Sequence, residues 1–589
     1  MDHMRRIKKH QRKKTGISKP LLLLYAAGLS IVYVWGCILA SSHTFTITDQ
    51  IPTTFTDDIA PKPFPTVMEI LKKHEALALK KAEERLLAET LIFGTAKLDT
   101  AKLDTASYTP KGGNRFREWK DGDSPYSSLM NQEMKRKSDD LARKRREYIK
   151  AAMQHAWKGY KTHAFGADEV GPISGKPNSH WGGIGTTLVD ALDSLWLMDM
   201  KDEFYEARDW VRDKLDHNKN MDASLFETTI RSLGGLLSAY EWSGDRIFLE
   251  KAQDLGNRLV KAFDAPGMNG IPKGYINLST GKSSTQSWLR GSLILSDIAT
   301  LPVEFRQLSK HTGNKTYAIK AEHIFLKLKD IEPTNGLFPY YLRVRKGNLE
   351  FANKAISFGA FGDSFYEYLL KIWLQGGRTE PMYRSMYDKA IDGMHAEQLR
   401  VSVTGLTYIY YQTETSQMDH LSCFMGGLLV LGAWSDPNGI STERAQRDLK
   451  TGKALAYTCY QMYASMPTGL SPDIVRFDDS GIRAKQKSYL LRPETVETMF
   501  ILSSITGDPI YREWGWEIFQ SIEKYCKTEI AYGSLDDVMD TDKAPKDSME
   551  SFFLAETMKY LFLLMDPDSE VNLENYVFNT EAHPLKVWK

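Results

Sequence analysis

The sequence predicts an all-α body in which about seven helical hairpins close into a ring of inner and outer helices. Three observations carry this. From about Met134 onward apolar residues recur at helical spacing, and strand-like alternation is scarce. One turn pattern comes back three times: Ser243-Gly-Asp-Arg-Ile-Phe-Leu-Glu-Lys-Ala252, Thr312-Gly-Asn-Lys-Thr-Tyr-Ala-Ile-Lys-Ala321 and Thr506-Gly-Asp-Pro-Ile-Tyr-Arg-Glu-Trp-Gly515. Each copy follows an apolar helix and opens another, because Ser/Thr-Gly-Asp/Asn is a helix stop, a turn and an N-cap in three residues. The copies start 69 and 194 residues apart, one and three units of about 65 residues. Residues 135–589 then hold seven units. An open superhelix is the other arrangement of a helical repeat; irregular repeats without a short consensus favour closure.

The chain has 589 residues, 42% hydrophobic and 11% aromatic, enough for a large core. Residues 1–19 form a basic tail with eight Lys/Arg against one Asp. Without that local +7 the net charge of +1 becomes −6, so the body is mildly acidic and gives no support for nucleic-acid binding. Residues 20–40, PLLLLYAAGLSIVYVWGCILA, are 21 residues without a charge, long enough to span a bilayer. Lys and Arg crowd the preceding flank, and none follows until Lys62. The span is therefore expected as a signal anchor with the tail cytosolic and the body across the membrane. It is longer than the apolar part of a cleaved signal peptide, and no clear small-x-small site follows it.

Residues 41–133 read as a lumenal stem. Ser41 to Pro65 is rich in Thr, Pro and Asp. Val67 to Leu91 reads as a helix, alone or in a short coiled coil. Thr95-Ala-Lys-Leu-Asp99 repeats at once as Thr100-Ala-Lys-Leu-Asp104, a duplication in a polar spacer. Residues 134–589 form the ring, and Val577-Phe-Asn-Thr-Glu-Ala-His-Pro584 reads as a closing strand or hairpin. Cys37 lies in the span. Cys423, Cys459 and Cys526 leave three pairings open for one disulfide. The sequons Asn277-Leu-Ser and Asn314-Lys-Thr fit a lumenal body. No protein partner is deducible.

Four stretches carry chemistry. Tyr489-Leu-Leu-Arg-Pro-Glu-Thr-Val-Glu497 reads as a helix start, with Pro493 in the first turn and Glu494 and Glu497 on one face near the positive end of the dipole. Ser224-Leu-Phe-Glu-Thr-Thr-Ile-Arg231 places Glu227 and Arg231 at i,i+4 in a helix that is apolar almost all round, so the pair is expected buried. In Phe358-Gly-Ala-Phe-Gly-Asp-Ser-Phe-Tyr-Glu-Tyr-Leu-Leu370, Asp363 and Ser364 suit a helix cap, and Glu367 follows one turn on. Ser551-Phe-Phe-Leu-Ala-Glu-Thr-Met-Lys-Tyr560 embeds Glu556 in an apolar helix. Asp536-Asp537…Asp540-Thr-Asp542 lacks the turn glycine and closing Glu of a calcium loop and reads as solvated. No phosphate loop, zinc spacing or G-x-S-x-G elbow occurs. Carboxylates and aromatics in a helical ring point to glycoside hydrolysis by an acid and a base.

These stretches, with Trp181-Gly-Gly-Ile-Gly-Thr-Thr-Leu-Val-Asp-Ala-Leu-Asp-Ser-Leu195, resemble glycoside hydrolase family 47, the class I α-1,2-mannosidases of the ER and Golgi. The resemblance covers about residues 135–589. It implies an (α/α)7 barrel closed by a C-terminal β-hairpin, behind a single transmembrane helix and stem. By position it implies Glu227 as general acid, Glu494 as general base and Asp363 as a third catalytic carboxylate. It implies Thr580 as the ligand of Ca²⁺ at the barrel floor. It places Arg231, Glu304, His420, Arg492, Glu497, Phe552, Glu556 and Glu581 in the substrate pocket, and pairs Cys423 with Cys459, leaving Cys526 free. Phe361, two residues before Asp363, matches neither the Arg usual in ER-type members nor the Leu usual in Golgi-type members. Ser296-Asp297 stands where Ala-Glu is common, in a segment (Thr285-Gln-Ser-Trp288) that is itself unusual.

The expected protein is a type II membrane enzyme of the ER or Golgi with a lumenal catalytic domain. It would remove terminal α-1,2-linked mannose from high-mannose N-glycans, with inversion and Ca²⁺. One alternative is a degradation-enhancing mannosidase-like quality-control protein, against which stands the Cys423/Cys459 pair. Another is a non-catalytic high-mannose lectin, against which stand the three acidic positions.

Overall fold

The computed structural model describes residues 132–588 apart from Gln412. The expected tail, membrane span and nearly all of the stem lie outside the described residues. Among the described residues no helix is long and apolar enough to cross a membrane.

Fourteen helices alternate along the described chain: α1 (Gln132–Ala164), α2 (186–197), α3 (Lys201–Asp213), α4 (225–243), α5 (Arg246–Leu259), α6 (295–312), α7 (Thr316–Asp330), α8 (Asp363–Gln375), α9 (Pro381–Gly393), α10 (420–434), α11 (Glu443–Ala464), α12 (Glu494–Thr506), α13 (Ile510–Tyr525) and α14 (553–564). The even-numbered helices pack side by side, each on the next, and α14 returns to α2. That closes an inner ring of seven. Each odd-numbered helix from α3 onward packs outside the even-numbered helix before it, while α1 packs on α14. The first helix is thus the outer partner of the last. Ion pairs fasten this seam: Arg145 to Glu513, Arg146 to Asp566 and Arg512 to Asp139, each at 2.7 Å.

The recurrent turn does what its residues dictate. Gly244, Gly313 and Gly507 end α4, α6 and α12 at φ 71°, 76° and 69°. Each donates its N–H four residues back, to Tyr240, Ser309 and Ser503. Asp245, Asn314 and Asp508 then accept from the N–H groups of Ile247, Thr316 and Ile510, at the starts of the outer helices. These inner-to-outer turns are short. The connections at the opposite end are long and carry small antiparallel sheets, such as Tyr341–Arg345 with Asn348–Phe351 and Ile474–Asp478 with Gly481–Gln486. The starts of all the inner helices therefore gather beneath the long loops, and the candidate carboxylates gather with them.

Two local expectations are corrected. Gly362, not Asp363, occupies the cap of α8. Asp363 is its first helical residue, and its carboxylate accepts the Ser364 N–H at 2.8 Å. The Glu227/Arg231 stretch is not plain α-helix: Thr228–Leu233 forms a π turn, as does Phe553–Thr557 around Glu556. Such turns take up one extra residue and recur at functional sites.

The C-terminal hairpin pairs Tyr576–Phe578 with Pro584–Lys586, and its tip, residues 579–583, sits among the inner helices. Asn579 donates to the carbonyl of Ile230 at 2.9 Å and to Glu304 at 2.7 Å. Lys559 donates to the carbonyl of Ala582 at 2.8 Å. Gly234 and Gly235 make room for this tip. A Cβ on Gly234 would lie 2.6 Å from the Asn579 amide nitrogen, and one on Gly235 would lie 3.3 Å from the His583 ring and 2.6 Å from the Val189 carbonyl of α2.

Cys423 and Cys459 form a disulfide between α10 and α11 across a separation of 36 residues, and Cys526 is free and buried. Replacing both bonded cysteines by serine should lower unfolding free energy by about 3–4 kcal/mol, the scale of closing such a loop in the unfolded chain. Urea unfolding of the oxidised and double-serine proteins measures it; equal midpoints would show that the bond adds nothing.

Candidate active site

The site is a cleft lined by the starts and upper turns of the inner helices. On one side α4 presents Glu227 and Arg231. Arg231 Nε donates to Glu227 at 2.9 Å, and Nη1 meets Glu581 of the hairpin tip and Ser551 at 3.2 Å. The guanidinium lies 5.7 Å from the ring of Trp181 and 5.5 Å from that of Phe552. The expected Glu227/Arg231 pair thus exists, but half-buried rather than buried, with the Glu227 side chain 27% exposed, and Arg231 bridges the general-acid candidate to the tip.

Across the cleft α12 begins at Glu494, behind Leu491, a non-glycine residue at φ 62°. His420 Nδ1 bonds Glu494 at 2.8 Å, and its Nε2 lies 2.8 Å from the Tyr463 hydroxyl. Arg492 Nε donates to Asp473 at 2.7 Å. Burial alone would raise the Glu494 pKa. The His420 hydrogen bond and the charges of His420 and Arg492 outweigh burial and hold it below the usual carboxylate range. Glu494 is therefore an ionised acceptor at neutral pH.

Its neighbours go the other way. Burial pushes Asp363 up to about 8 against the opposing Ser364 bond, with Asp419, Glu367 and Glu494 adding repulsion. Burial likewise brings Glu497 to about 8, opposed by Lys371 and helped by Glu367 and Glu494. Glu556 is raised well above its ordinary value by burial and by Glu494 and Glu497. Asp297, at the start of α6, reaches about 7 through burial and the nearby charge of Glu227. Glu494 held low beside Asp363, Glu497 and Glu556, which are pushed toward the protonated form, is a separation of states of the kind acid–base work uses.

Below the cleft lies a buried charge network. His583 bonds Asp193 at 2.8 Å through Nδ1 and Asp190 at 3.0 Å through Nε2. Lys559 meets Asp193 at 2.7 Å, and Ser551 donates to Asp190 at 2.5 Å. Lys371 pairs with Glu367, 3.8 Å from Glu497, and faces the Asn579 carbonyl. Glu304 sits deeper than the other candidates, accepting from Tyr368 at 2.6 Å and from Asn579. Thr580 is at the tip, with its N–H 3.4 Å from the Tyr368 hydroxyl. Sequence reading assigned no role to Asp190, Asp193, Lys371, Asp419, Asp473, Lys559 or His583. The available signal was charge in apolar helices: Asp190 and Asp193 at i,i+3, and Lys371 four residues after Glu367.

The glycosyl hydrolase family 47 model matches residues 152–587. The chain belongs to this family. As a family 47 member it is 42% identical over 456 residues to a mannosyl-oligosaccharide 1,2-alpha-mannosidase of Arabidopsis thaliana, covering 76% of this chain and 80% of that one. It is 42% identical to the endoplasmic reticulum mannosyl-oligosaccharide 1,2-alpha-mannosidase of Rattus norvegicus, covering 75% and 68%. Among solved structures, the chain is similar to an alpha-1,2-mannosidase from Trichoderma reesei: TM-score 0.70, 28% identity, 76% of this chain and 99% of that one. The predicted all-α ring is thus the family's (α/α)7 fold, and the chain is a glycosidase.

Proposed function

We propose that this family 47 enzyme removes terminal α-1,2-linked mannose from high-mannose N-glycans with inversion. The observation that carries the reading is Glu494, held ionised by His420 and Arg492 opposite Glu227. In this mechanism Glu227 gives its proton to the glycosidic oxygen as the bond to the anomeric carbon breaks. Glu494 takes a proton from a water whose oxygen attacks that carbon from the opposite face. Asp363, protonated and beside Glu494, is the third carboxyl at the reacting centre. Arg231 holds Glu227 in place, and Phe552 packs beneath Arg231. Glu497, Glu556 and Glu581 line the floor to meet sugar hydroxyls.

The hairpin closes the inner end of the barrel in this reading. Thr580 at its tip offers two hard oxygens, its hydroxyl and its carbonyl. Among the described residues no three His, Cys, Asp or Glu side chains form a metal cage. Thr580 would therefore hold Ca²⁺ chiefly with water and sugar hydroxyls, a set calcium accepts. Bound there, Ca²⁺ would supply positive charge and fixed coordination for the sugar. The anchor and basic tail favour a type II protein of the ER or Golgi membrane with the barrel lumenal.

The test is incubation with Man9GlcNAc2, with and without a calcium chelator, following product masses. Stepwise loss of hexose that stops on chelation is expected. Absence of any loss from folded protein overturns the reading. Thr580→Ala should raise the Ca²⁺ concentration for half-maximal activity by at least about tenfold. An unaltered calcium response would remove Thr580 as the ligand.

A further inference from the structure

We propose that Trp288 is a stacking platform for an uncleaved mannose of the branched oligosaccharide, extending the catalytic cleft by one subsite. This rests on the glycan reading above. Trp288 lies in the single turn Ser287–Leu289 and is 55% exposed. Its ring is 6.2 Å from that of Phe361. Phe361 lies 5.7 Å from Tyr340 and 6.0 Å from Tyr341, which are 4.7 Å from each other. Four rings form one wall. Tyr340 at its inner end is buried, and Trp288 at its outer end is bare. A lone exposed aromatic needs no explanation, but this one ends a packed row that runs along the catalytic groups.

The wall touches both sides of the cleft. Phe361 precedes Asp363 by two residues, and its carbonyl accepts the Ser296 N–H at 3.1 Å. The next residue, Asp297, feels the charge of Glu227. Farther along, Tyr411 interacts electrostatically with Tyr340, Tyr341, Asp419 and Asp473, and Asp473 holds Arg492. Phe361 itself stands at φ 76°, and Arg290, two residues after Trp288, at φ 50°. A bulky residue persists in the left-handed region only where its surroundings hold it there, and such positions cluster at binding sites.

The occupant follows from this continuity. A ligand reaching from the Glu227 side of the cleft meets Phe361 and then Trp288. A pyranose ring has a face of C–H groups and a rim of hydroxyls. The C–H face can lie on an aromatic ring while the hydroxyls stay in water, as amphipathic rings do at wet interfaces. In this proposal the platform takes a mannose beyond the two at the scissile bond, so a disaccharide leaves it empty.

Trp288→Ala and Trp288→Phe in the full-length protein test this. The ratio of kcat/KM on Man9GlcNAc2 to kcat/KM on α-1,2-mannobiose should fall about tenfold in the alanine variant, the scale of losing one aromatic anchor. The loss should sit in KM rather than kcat, and phenylalanine should restore most of it. An unchanged ratio, or equal loss on both substrates, overturns the platform. Binding of Man9GlcNAc2 by calorimetry separates the two readings. If the unsubstituted protein cleaves neither substrate, the function reading fails, and the platform stands only if Trp288→Ala still weakens binding about tenfold. Equal affinities overturn it.

Discussion

Glu494→Gln should lower kcat on Man9GlcNAc2 by about a thousandfold while KM changes less than about threefold. Glutamine keeps the size and the hydrogen-bonding reach of the side chain but cannot take a proton from water. His420 stays anchored by the Tyr463 hydroxyl at 2.8 Å, so the pocket keeps its shape. Such a loss with retained affinity marks an interaction made only in the transition state. Turnover within about tenfold of the unsubstituted enzyme would remove Glu494 as the general base. The prediction is sharp because Asp363, Glu497 and Glu556 are all raised, and none can replace an ionised base at neutral pH.

The second large effect is on stability. Asp193 is fully buried between Lys559 at 2.7 Å and His583 at 2.8 Å. Asp193→Ala would leave two cations in the interior with Asp190 as their remaining close carboxylate. Removing one member of a buried ion pair costs about 3–5 kcal/mol. Urea unfolding of the variant measures the loss, and Asp193→Ala combined with Lys559→Met should recover part of it. A loss below about 1 kcal/mol would show that the network carries little of the stability. Burial pulls Asp193 upward, but the charges of Lys559 and His583 overcome it and hold its pKa near 2. The aspartate is therefore ionised throughout the physiological range.

What could be read from the sequence was local. The Ser/Thr-Gly-Asp/Asn turns at residues 243, 312 and 506 act through their own backbone and caps, so three residues sufficed to place them. Counting the distance between turns then located the ring. Glu227 with Arg231 was legible because one helix carries both. The link from Arg231 to Glu581 was not, because 350 residues separate them. Asp190 and His583, 393 residues apart, each resemble an ordinary polar residue until the hairpin tip brings them together. The π turns at Thr228–Leu233 and Phe553–Thr557 leave no periodicity signal, since a single extra residue shifts the register only once. The three cysteines of the body left three pairings open, and the fold closes one of them.

The seam between α1 and the last hairpin has a consequence for how the enzyme is made. Arg145 reaches Glu513 across 368 residues, and the tip that carries Thr580 comes later still. During vectorial synthesis the first helix emerges long before its partners and waits with its apolar face unpaired. Inner helices can collapse onto one another earlier, but no partial chain can complete the circle or line the pocket. A polypeptide stopped before residue 579 lacks the tip that bonds Ile230, Glu304, Asp190 and Asp193. Nonlocal closure of this kind is slow and leaves sticky intermediates.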